Sequence, residues 1–188
     1  MKLSIKEMSL VSMFTALTAV GAFISIPVGP VPITLQTLFV LLSGMLLGPK
    51  LGALSQIVYI VLALIGIPIF SGFSGGPQIL LKPSFGFAIG FVFAAYIVGK
   101  MTQNNFSVKK MFLASAMGSI VIYLFGLPYM YYILNFVMEM DLTFAAVFKM
   151  GCLSFIPGDL AKLVVANIVT KKTLPILGKI TGIGSQVS

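Results

Sequence analysis

Residues 8–49 read MSLVSMFTALTAVGAFISIPVGPVPITLQTLFVLLSGMLLGP and contain no charged side chain. A helix that crosses the hydrocarbon core of a bilayer needs about 20 consecutive, mostly apolar residues. This stretch is long enough for two such helices, and the prolines between Pro27 and Pro32 provide a break between them. It therefore predicts two membrane-spanning helices joined by a loop.

The rest of the chain repeats this arrangement. Further uncharged segments separate Lys50 from Lys82, Lys82 from Lys100, and Lys110 from Glu139. Over the 188 residues, 59% of side chains are hydrophobic and 9% are charged, whereas a soluble domain carries roughly a quarter charged residues. Residues 1–188 are thus predicted to form a single all-α integral membrane domain.

Six membrane spans follow when turn residues are placed between the apolar runs: about 6–26, 33–48, 51–67, 84–100, 111–127 and 158–175. Glycine, serine and proline dominate residues 71–77, which predicts an ordered external loop. A helix over 142–156 would be about 22 Å long, too short for a hydrocarbon core of ~30 Å. That segment is predicted to be a short external or re-entrant helix before the last span.

The lysines predict the orientation of the six spans. Most of them fall on one side of the membrane: Lys2, Lys6, Lys50, Lys100, Lys109, Lys110, Lys171, Lys172 and Lys179. Because cytoplasmic loops are enriched in Lys and Arg, this side is predicted to be the cytoplasm. Both termini then lie in the cytoplasm, and the lysines meet anionic lipid there.

The inventory of reactive side chains is poor for an enzyme. The chain has no His, the commonest general base and metal ligand, and its single cysteine, Cys152, excludes an internal disulfide. All its cations are Lys, so the Arg contacts typical of nucleic-acid recognition are missing despite a net charge of +8. No phosphate-binding Gly-Lys-Ser or Gly-Lys-Thr sequence is present. We expect no metal, no ATP site in this chain and no nucleic-acid partner.

Asp159 and Lys162 are the strongest candidates for a binding site. They are three residues apart at the start of the last predicted helix, so they share a face. An ionised residue at the centre of a spanning helix costs at least ~2.5–3.5 kcal/mol, and such residues usually face the bundle interior and have a function. Alternatively, Asp159 caps the helix and Lys162 extends towards the lipid headgroups.

Other polar groups fall on the same external side. Two loops, 27–37 and 67–84, supply them: Thr34, Gln36, Thr37, Gly72, Gly75, Gly76, Gln78, Lys82 and Ser84. Closely spaced glycines let the backbone approach a ligand, although they also occur in loops that are merely flexible. Together with Asp159 and Lys162, these groups predict a pocket that opens to the outside.

Small residues form a stripe along the first predicted span, at Ser12, Thr15, Ala16, Ala19 and Ala22. Small residues let helices approach closely within a membrane. The stripe either packs inside this bundle or docks against a partner protein.

Four stretches resemble the BioY family, the biotin-specific substrate-binding (S) components of energy-coupling-factor transporters. They are Pro30–Thr37, Leu47–Gly52, the Gly66-Ile67-Pro68 sequence before the glycine-rich loop, and Phe155–Lys162. The resemblance covers nearly the whole chain in the same order. It departs at Lys82–Phe87, where relatives usually read Gly-Pro-Thr-Gly-Gly-Tyr.

The resemblance implies a six-helix subunit of a bacterial membrane that binds biotin from outside. It also implies docking, through Ala16 and Ala19, on a transmembrane coupling protein that works with two ATPases, so ATP is used only by the partners. Asp159 would accept a ureido N–H of biotin and Lys162 would donate to its carbonyl. Val31, Ile33 and Phe87 would cover the ring, and Lys82 or Lys149 would meet the carboxylate.

Three other functions remain open from the residues. The nearest is an S component for another vitamin, such as thiamin or riboflavin. A membrane enzyme with Asp159 as base and Lys162 as nucleophile is disfavoured by the missing histidine and by the lack of a second carboxylate in the site. A stand-alone pore would need polar residues along several spans, whereas the middles of these spans are apolar.

Overall fold

The computed structural model describes residues 3–103 and 106–181, with side chains through residue 176, and these residues are mainly helical. In chain order the elements are α1 (Ile5–Phe23), β1 (Ser25–Ile26), β2 (Ile33–Thr34), α2 (Gln36–Leu64), a 3₁₀ helix (Pro77–Leu81), α3 (Phe85–Thr102), α4 (Val108–Tyr132) with a π-helical turn (Ile133–Val137), α5 (Phe144–Phe148) with a second π-helical turn (Lys149–Leu153), and α6 (Ile156–Thr181). The helical fold class is confirmed. Lys2 and the side chain of Lys179 lie outside the described part.

α2 folds back on itself at Gly48. This residue adopts φ 77° and ψ −178°, a left-handed conformation that glycine tolerates and that interrupts the helix. Gln56 Nε2 lies 3.3 Å from Ser43 Oγ, whereas a straight helix would separate the two residues by about 20 Å. Residues 36–47 (α2a) and 49–64 (α2b) therefore run antiparallel as a helical hairpin.

One end of the bundle gathers the hairpin tip with two other helix termini. A Cβ atom added to Gly99 on α3 would lie 2.5 Å from the backbone nitrogen of Pro49, so glycine allows α3 to pack directly on the tip. A surface cleft there is lined by Glu7 of α1, by Lys50 and by Gln103. The beginning of α1, the hairpin tip and the end of α3 thus lie together.

The opposite end is organised by the short strand pair. β1 and β2 are antiparallel, with Ser25 opposite Thr34, and the Leu35 N–H donates to the Gly21 carbonyl at 3.0 Å. The first predicted span, 6–26, is wrong over its last residues. Ile26 precedes Pro27, which disfavours helix at that position, and the backbone pairs with β2 instead.

The C-terminal segments also differ in their boundaries from the sequence prediction. α4 continues past the expected end at residue 127 and includes Pro128. The interruption expected at 157–158 lies at residues 154–155, because α6 begins at Ile156. Pro157 lies in the first turn, where backbone N–H groups have no acceptor within the helix, so the missing N–H of proline costs no hydrogen bond.

Five helical segments of the described residues are long and apolar enough to cross a membrane: Ile5–Phe23, Gln36–Leu64, Phe85–Thr102, Val108–Val137 and Phe144–Ile176. Large apolar side chains on their outer faces are exposed, among them Ile120 and Leu124 of α4. Such a surface is suited to lipid rather than water. The chain is a multi-pass membrane protein.

Candidate functional site

A cavity lies between α2a, α3, α4 and α6 at the end of the bundle that carries the strand pair. Six parts of the chain line it: Val31, Pro32 and Thr34; Gln36 and Thr37; Phe70 and Ser71; Ser84, Phe87, Ala88 and Phe91; Ser119, Ile122 and Tyr123; and Phe155, Asp159 and Lys162.

The ion pair predicted on α6 faces this cavity. Lys162 Nζ donates to Asp159 Oδ1 at 2.9 Å, and the two side chains are only 7% and 12% exposed. They are buried among helices, so neither extends towards lipid headgroups. The Asp159 N–H donates to the Phe155 carbonyl as part of the helix. An ion pair is thus held at the edge of an apolar cavity.

Tyr123 on α4 completes this polar cluster. Its hydroxyl donates to Asp159 Oδ2 from the neighbouring helix. Each carboxylate oxygen therefore has one protein donor and keeps a lone pair for a further bond. Tyr123 is not among the site residues predicted from the sequence, although a buried tyrosine hydroxyl usually finds a partner.

Aromatic rings form much of the remaining wall. Phe87 and Phe155 lie nearly parallel with ring centroids 6.5 Å apart, and Tyr123 meets Phe87 edge-on at 6.2 Å. Phe70 and Phe91 are also buried at the cavity. A mostly apolar wall with one charged cluster is typical of a site that orients a small ligand by a few polar contacts.

Gln36 lines the cavity, and both ends of its amide bond to the protein. Its Nε2 donates to the Tyr59 hydroxyl at 2.7 Å, and its Oε1 accepts from Thr34 Oγ1 at 3.1 Å. The Tyr59 hydroxyl in turn donates to the Ile69 carbonyl at 3.1 Å. Gln36 thus ties β2 to α2b and fixes the shape of the cavity wall.

Of the three apolar residues expected to cover a ligand ring, two line the cavity. Val31 and Phe87 are buried there. Ile33 is not part of the wall, and its Cγ2 atom instead lies 3.7 Å from the position that a Cβ of Gly158 would occupy. Ile33 therefore packs β2 against the first turn of α6.

The two cations expected near a ligand carboxylate lie outside the cavity wall. Lys82 is half-buried, and its Nζ donates to Ser74 Oγ at 2.8 Å and to the Ser71 carbonyl at 3.4 Å. Because Ser71 lines the cavity, Lys82 is linked to it through the loop. Lys149 is exposed on the π-helical turn before α6 and is not in the wall.

Gly75, Gly76 and Gln78, which were predicted to contact a ligand, do not line the cavity. The exposed Gln78 amide donates to the Gly75 carbonyl. Gly76 adopts φ +89°, which positions its N–H to donate to the Ala63 carbonyl at 2.7 Å. These polar groups satisfy one another and hold the loop on the end of α2b.

The small residues of α1 divide between two environments. Thr15 and Ala22 are buried, and the Thr15 hydroxyl donates to the Ser55 carbonyl at 2.9 Å. Ala16 is exposed, and Ala19, which is 7% exposed, lies at the floor of a surface groove between α1 and α2b. The stripe therefore serves internal packing on one side and leaves a groove on the other.

Metal chemistry has no evident place in the part of the chain that is described. Across residues 3–103 and 106–181, no three His, Cys, Asp or Glu side chains are grouped so that they could hold a metal ion. The polar cluster of the cavity is instead suited to hydrogen bonding with a neutral, polar group.

Comparison with known proteins gives concordant matches. Residues 1–179 match the sequence profile of the BioY family. The chain is 44% identical to a probable biotin transporter BioY from Pyrococcus horikoshii, over 89% of this chain and 95% of that relative. It is 40% identical to the biotin transporter BioY of Thermotoga maritima, over 83% of this chain and 88% of the relative. It also resembles the crystal structure of the S-component for biotin from an ECF-type ABC transporter, with a TM-score of 0.78 and 27% identity over 89% of this chain and 90% of the other.

Proposed function

The chain belongs to the BioY family, and we propose that it is the biotin-binding substrate-specificity subunit of an energy-coupling-factor transporter. The observation that carries this proposal is the buried Asp159–Lys162 pair facing an apolar cavity. Binding, not catalysis, is the role of such a subunit. The names of its relatives favour biotin over thiamin or riboflavin.

The chemistry of the cavity suits biotin. Its ureido group presents N–H donors beside a carbonyl acceptor, and the free lone pairs of Asp159 and the ammonium group of Lys162 are complementary to them. The aromatic walls around Phe87 suit the apolar fused rings. Because each charge of the pair already has its partner, the cavity can admit a neutral polar group without leaving a buried charge unpaired.

The carboxylate of biotin would then point away from the ion pair towards the loop. We assign it to Lys82, whose ammonium group is bonded to the cavity residue Ser71. Lys149 is exposed and has no such link to the cavity. A cation at the mouth would also favour the approach of an anionic ligand.

Six crossings are the topology that the helix contacts favour. α2a and α2b run antiparallel, so the five apolar segments provide six traverses when α2 counts as two. The α6 polar residues meet α4 at the cavity, while Thr170 of the same helix lies 3.2 Å from the Met45 sulfur of α2a, towards the hairpin tip. α6 therefore runs from the cavity end back to the end where α1 begins.

The distribution of lysines supports an orientation for these six crossings. The end that holds the α1 start and the hairpin tip carries Lys6, Lys50 and Lys100. By the positive-inside rule this end is cytoplasmic, together with both termini, and the cavity faces outside. α5 and the π-helical turn at Lys149–Leu153 then lie at the outer face, before the last crossing.

The partners would be a transmembrane coupling protein and two ATPase subunits, which alone use ATP. The groove on α1, with Ala16 at its surface, is the face we assign to the coupling protein. Small residues allow a partner helix to approach closely, and close packing drives helix association in lipid.

Isothermal titration of the detergent-solubilised protein with biotin tests the proposal. A scavenging uptake system requires a dissociation constant in the nanomolar range, which corresponds to a binding free energy of about −12 kcal/mol. Thiamin and riboflavin serve as matched ligands that should give no heat. Saturable binding of either vitamin without a response to biotin would refute the specificity, and chemical conversion of bound biotin would instead indicate an enzyme.

A further inference from the structure

Hydroxyl groups on the apolar helices of this protein almost always have a partner. Seven buried Ser and Thr side chains of the described helices donate to a nearby carbonyl or, in one case, to a methionine sulfur: Thr15, Thr18, Ser43, Ser55, Thr102, Ser115 and Thr170. Bonding to the carbonyl of the preceding turn is the usual way to bury a hydroxyl in a helix.

Ser119 is the exception. Ser119 is 9% exposed, and its Oγ makes no hydrogen bond to another protein atom. Within the described residues, one other buried side-chain oxygen or nitrogen lacks a protein partner, Asn167 Oδ1. Leaving a buried hydroxyl without a hydrogen bond is unfavourable. Ser119 also lines the cavity, one helical turn from Tyr123 on the same face of α4. The unpaired oxygen therefore lies beside the polar cluster of the site.

The ligand chemistry that would satisfy this oxygen follows from the shape of a cyclic urea. Its two N–H bonds diverge on either side of the carbonyl group, so a single carboxylate beside the ring reaches one of them. Asp159 and Lys162, both on α6, are complementary to one N–H and the carbonyl. The second N–H needs an acceptor on a different helix.

We propose that Ser119 Oγ accepts the second ureido N–H of biotin, so that the ring is held between α4 and α6. A serine hydroxyl has two acceptor lone pairs and one hydrogen. This assignment rests on the proposed function and adds a residue that distinguishes a ureido ring from a ring with a single N–H.

The test is titration of the Ser119→Ala variant with biotin, together with its melting temperature without ligand. A neutral hydrogen bond contributes roughly 1 kcal/mol, so biotin affinity should fall about fivefold. Without ligand the melting temperature should stay the same or rise, because the substitution removes a hydroxyl that makes no hydrogen bond to another protein atom. A residue with a structural role would instead lower the melting temperature.

Ser115→Ala is the matched control, one turn away on the same helix. Its hydroxyl donates to the Met111 carbonyl at 2.8 Å and accepts from Asn167 Nδ2 at 3.3 Å, and it does not line the cavity. This variant should have a lower melting temperature and an unchanged affinity for biotin.

Two analogues, each methylated at one of the two ureido nitrogens, sharpen the comparison. Wild type and Ser119→Ala should have equal affinity for the analogue that is methylated at the nitrogen facing Ser119, since that analogue has no N–H to donate to the Ser119 hydroxyl. If wild type binds biotin and Ser119→Ala binds it equally well, Ser119 is not a ligand contact and the proposed function stands. If wild type does not bind biotin, the proposed function itself fails.

Discussion

Replacing Asp159 with asparagine removes the negative charge that lies 2.9 Å from the Lys162 ammonium group. The two side chains are 12% and 7% exposed, so the cation would stay buried without its counter-charge. Breaking a buried pair from one side costs about 3–5 kcal/mol of stability. The variant would also lose a charged acceptor for the ligand, worth about 1.5–3 kcal/mol. We therefore expect a lower melting temperature and an affinity for biotin that is weaker by roughly ten- to a hundredfold.

The double variant Asp159→Asn/Lys162→Met separates these two effects. Removing both charges of a buried pair together is often neutral for stability, because no uncompensated charge remains. The melting temperature without ligand should return towards that of the wild type. Biotin affinity should not recover, since the charged acceptor and the donor to the ureido carbonyl are both gone.

Melting of the detergent-solubilised protein without biotin and isothermal titration with biotin give the two readings on the same samples. Lys149→Met, which changes an exposed cation outside the cavity wall, is the control and should alter neither quantity. Recovery of both stability and affinity in the double variant would refute the reasoning, because the pair would then serve the fold and not the ligand.

Three further outcomes are expected. Tyr123→Phe should lower the melting temperature and weaken biotin binding less than Asp159→Asn does, because it removes a donor that orients the carboxylate; an equal or larger loss of affinity by titration would contradict this. Lys82→Met should weaken binding of biotin but not of its uncharged amide, and equal weakening of both would remove Lys82 from the carboxylate. Ala16→Trp should abolish co-purification with the ATPase complex and leave biotin affinity unchanged, whereas Ile120→Trp on the exposed face of α4 should affect neither.

The parts of the fold that depend on hydrophobicity could be predicted from the sequence. The uncharged segments mark the helices, and Gly48 marks the hairpin tip because its positive φ favours glycine. The strand pair could not be predicted in this way. Two-residue strands are too short for an alternating pattern, and their formation depends on the neighbouring α1 and α2a termini.

The candidate site could be predicted only where a residue is unusual for its surroundings. Asp159 and Lys162 stand out as charges in an apolar chain. Tyr123 and Ser119 do not, since single tyrosines and serines are common in membrane helices. Their spacing of four residues was the available signal, but only tertiary packing shows which face of α4 meets the cavity.

The glycine-rich loop is the opposite case. Gly75, Gly76 and Gln78 are polar and lie on the predicted external side, which made them candidates for ligand contact. In the structure their polar groups bond to one another or to the end of α2b. Sequence cannot distinguish a loop whose backbone is available to a ligand from one whose backbone bonds are already made.

The position of the charged pair is difficult to explain by stability alone. α3 and α4 pack closely against each other without a charged pair. Glycine allows this close approach, since a Cβ on Gly90 would lie only 2.9 Å from the Ile122 Cα. α4 and α6 meet through polar side chains, and one of these contacts, Tyr123 with Asp159, lies where the helices leave a cavity. A well-packed apolar contact would hold α6 at least as firmly as a buried ion pair does. The pair is understandable if the space beside it is filled by a ligand whose own polar groups need these partners.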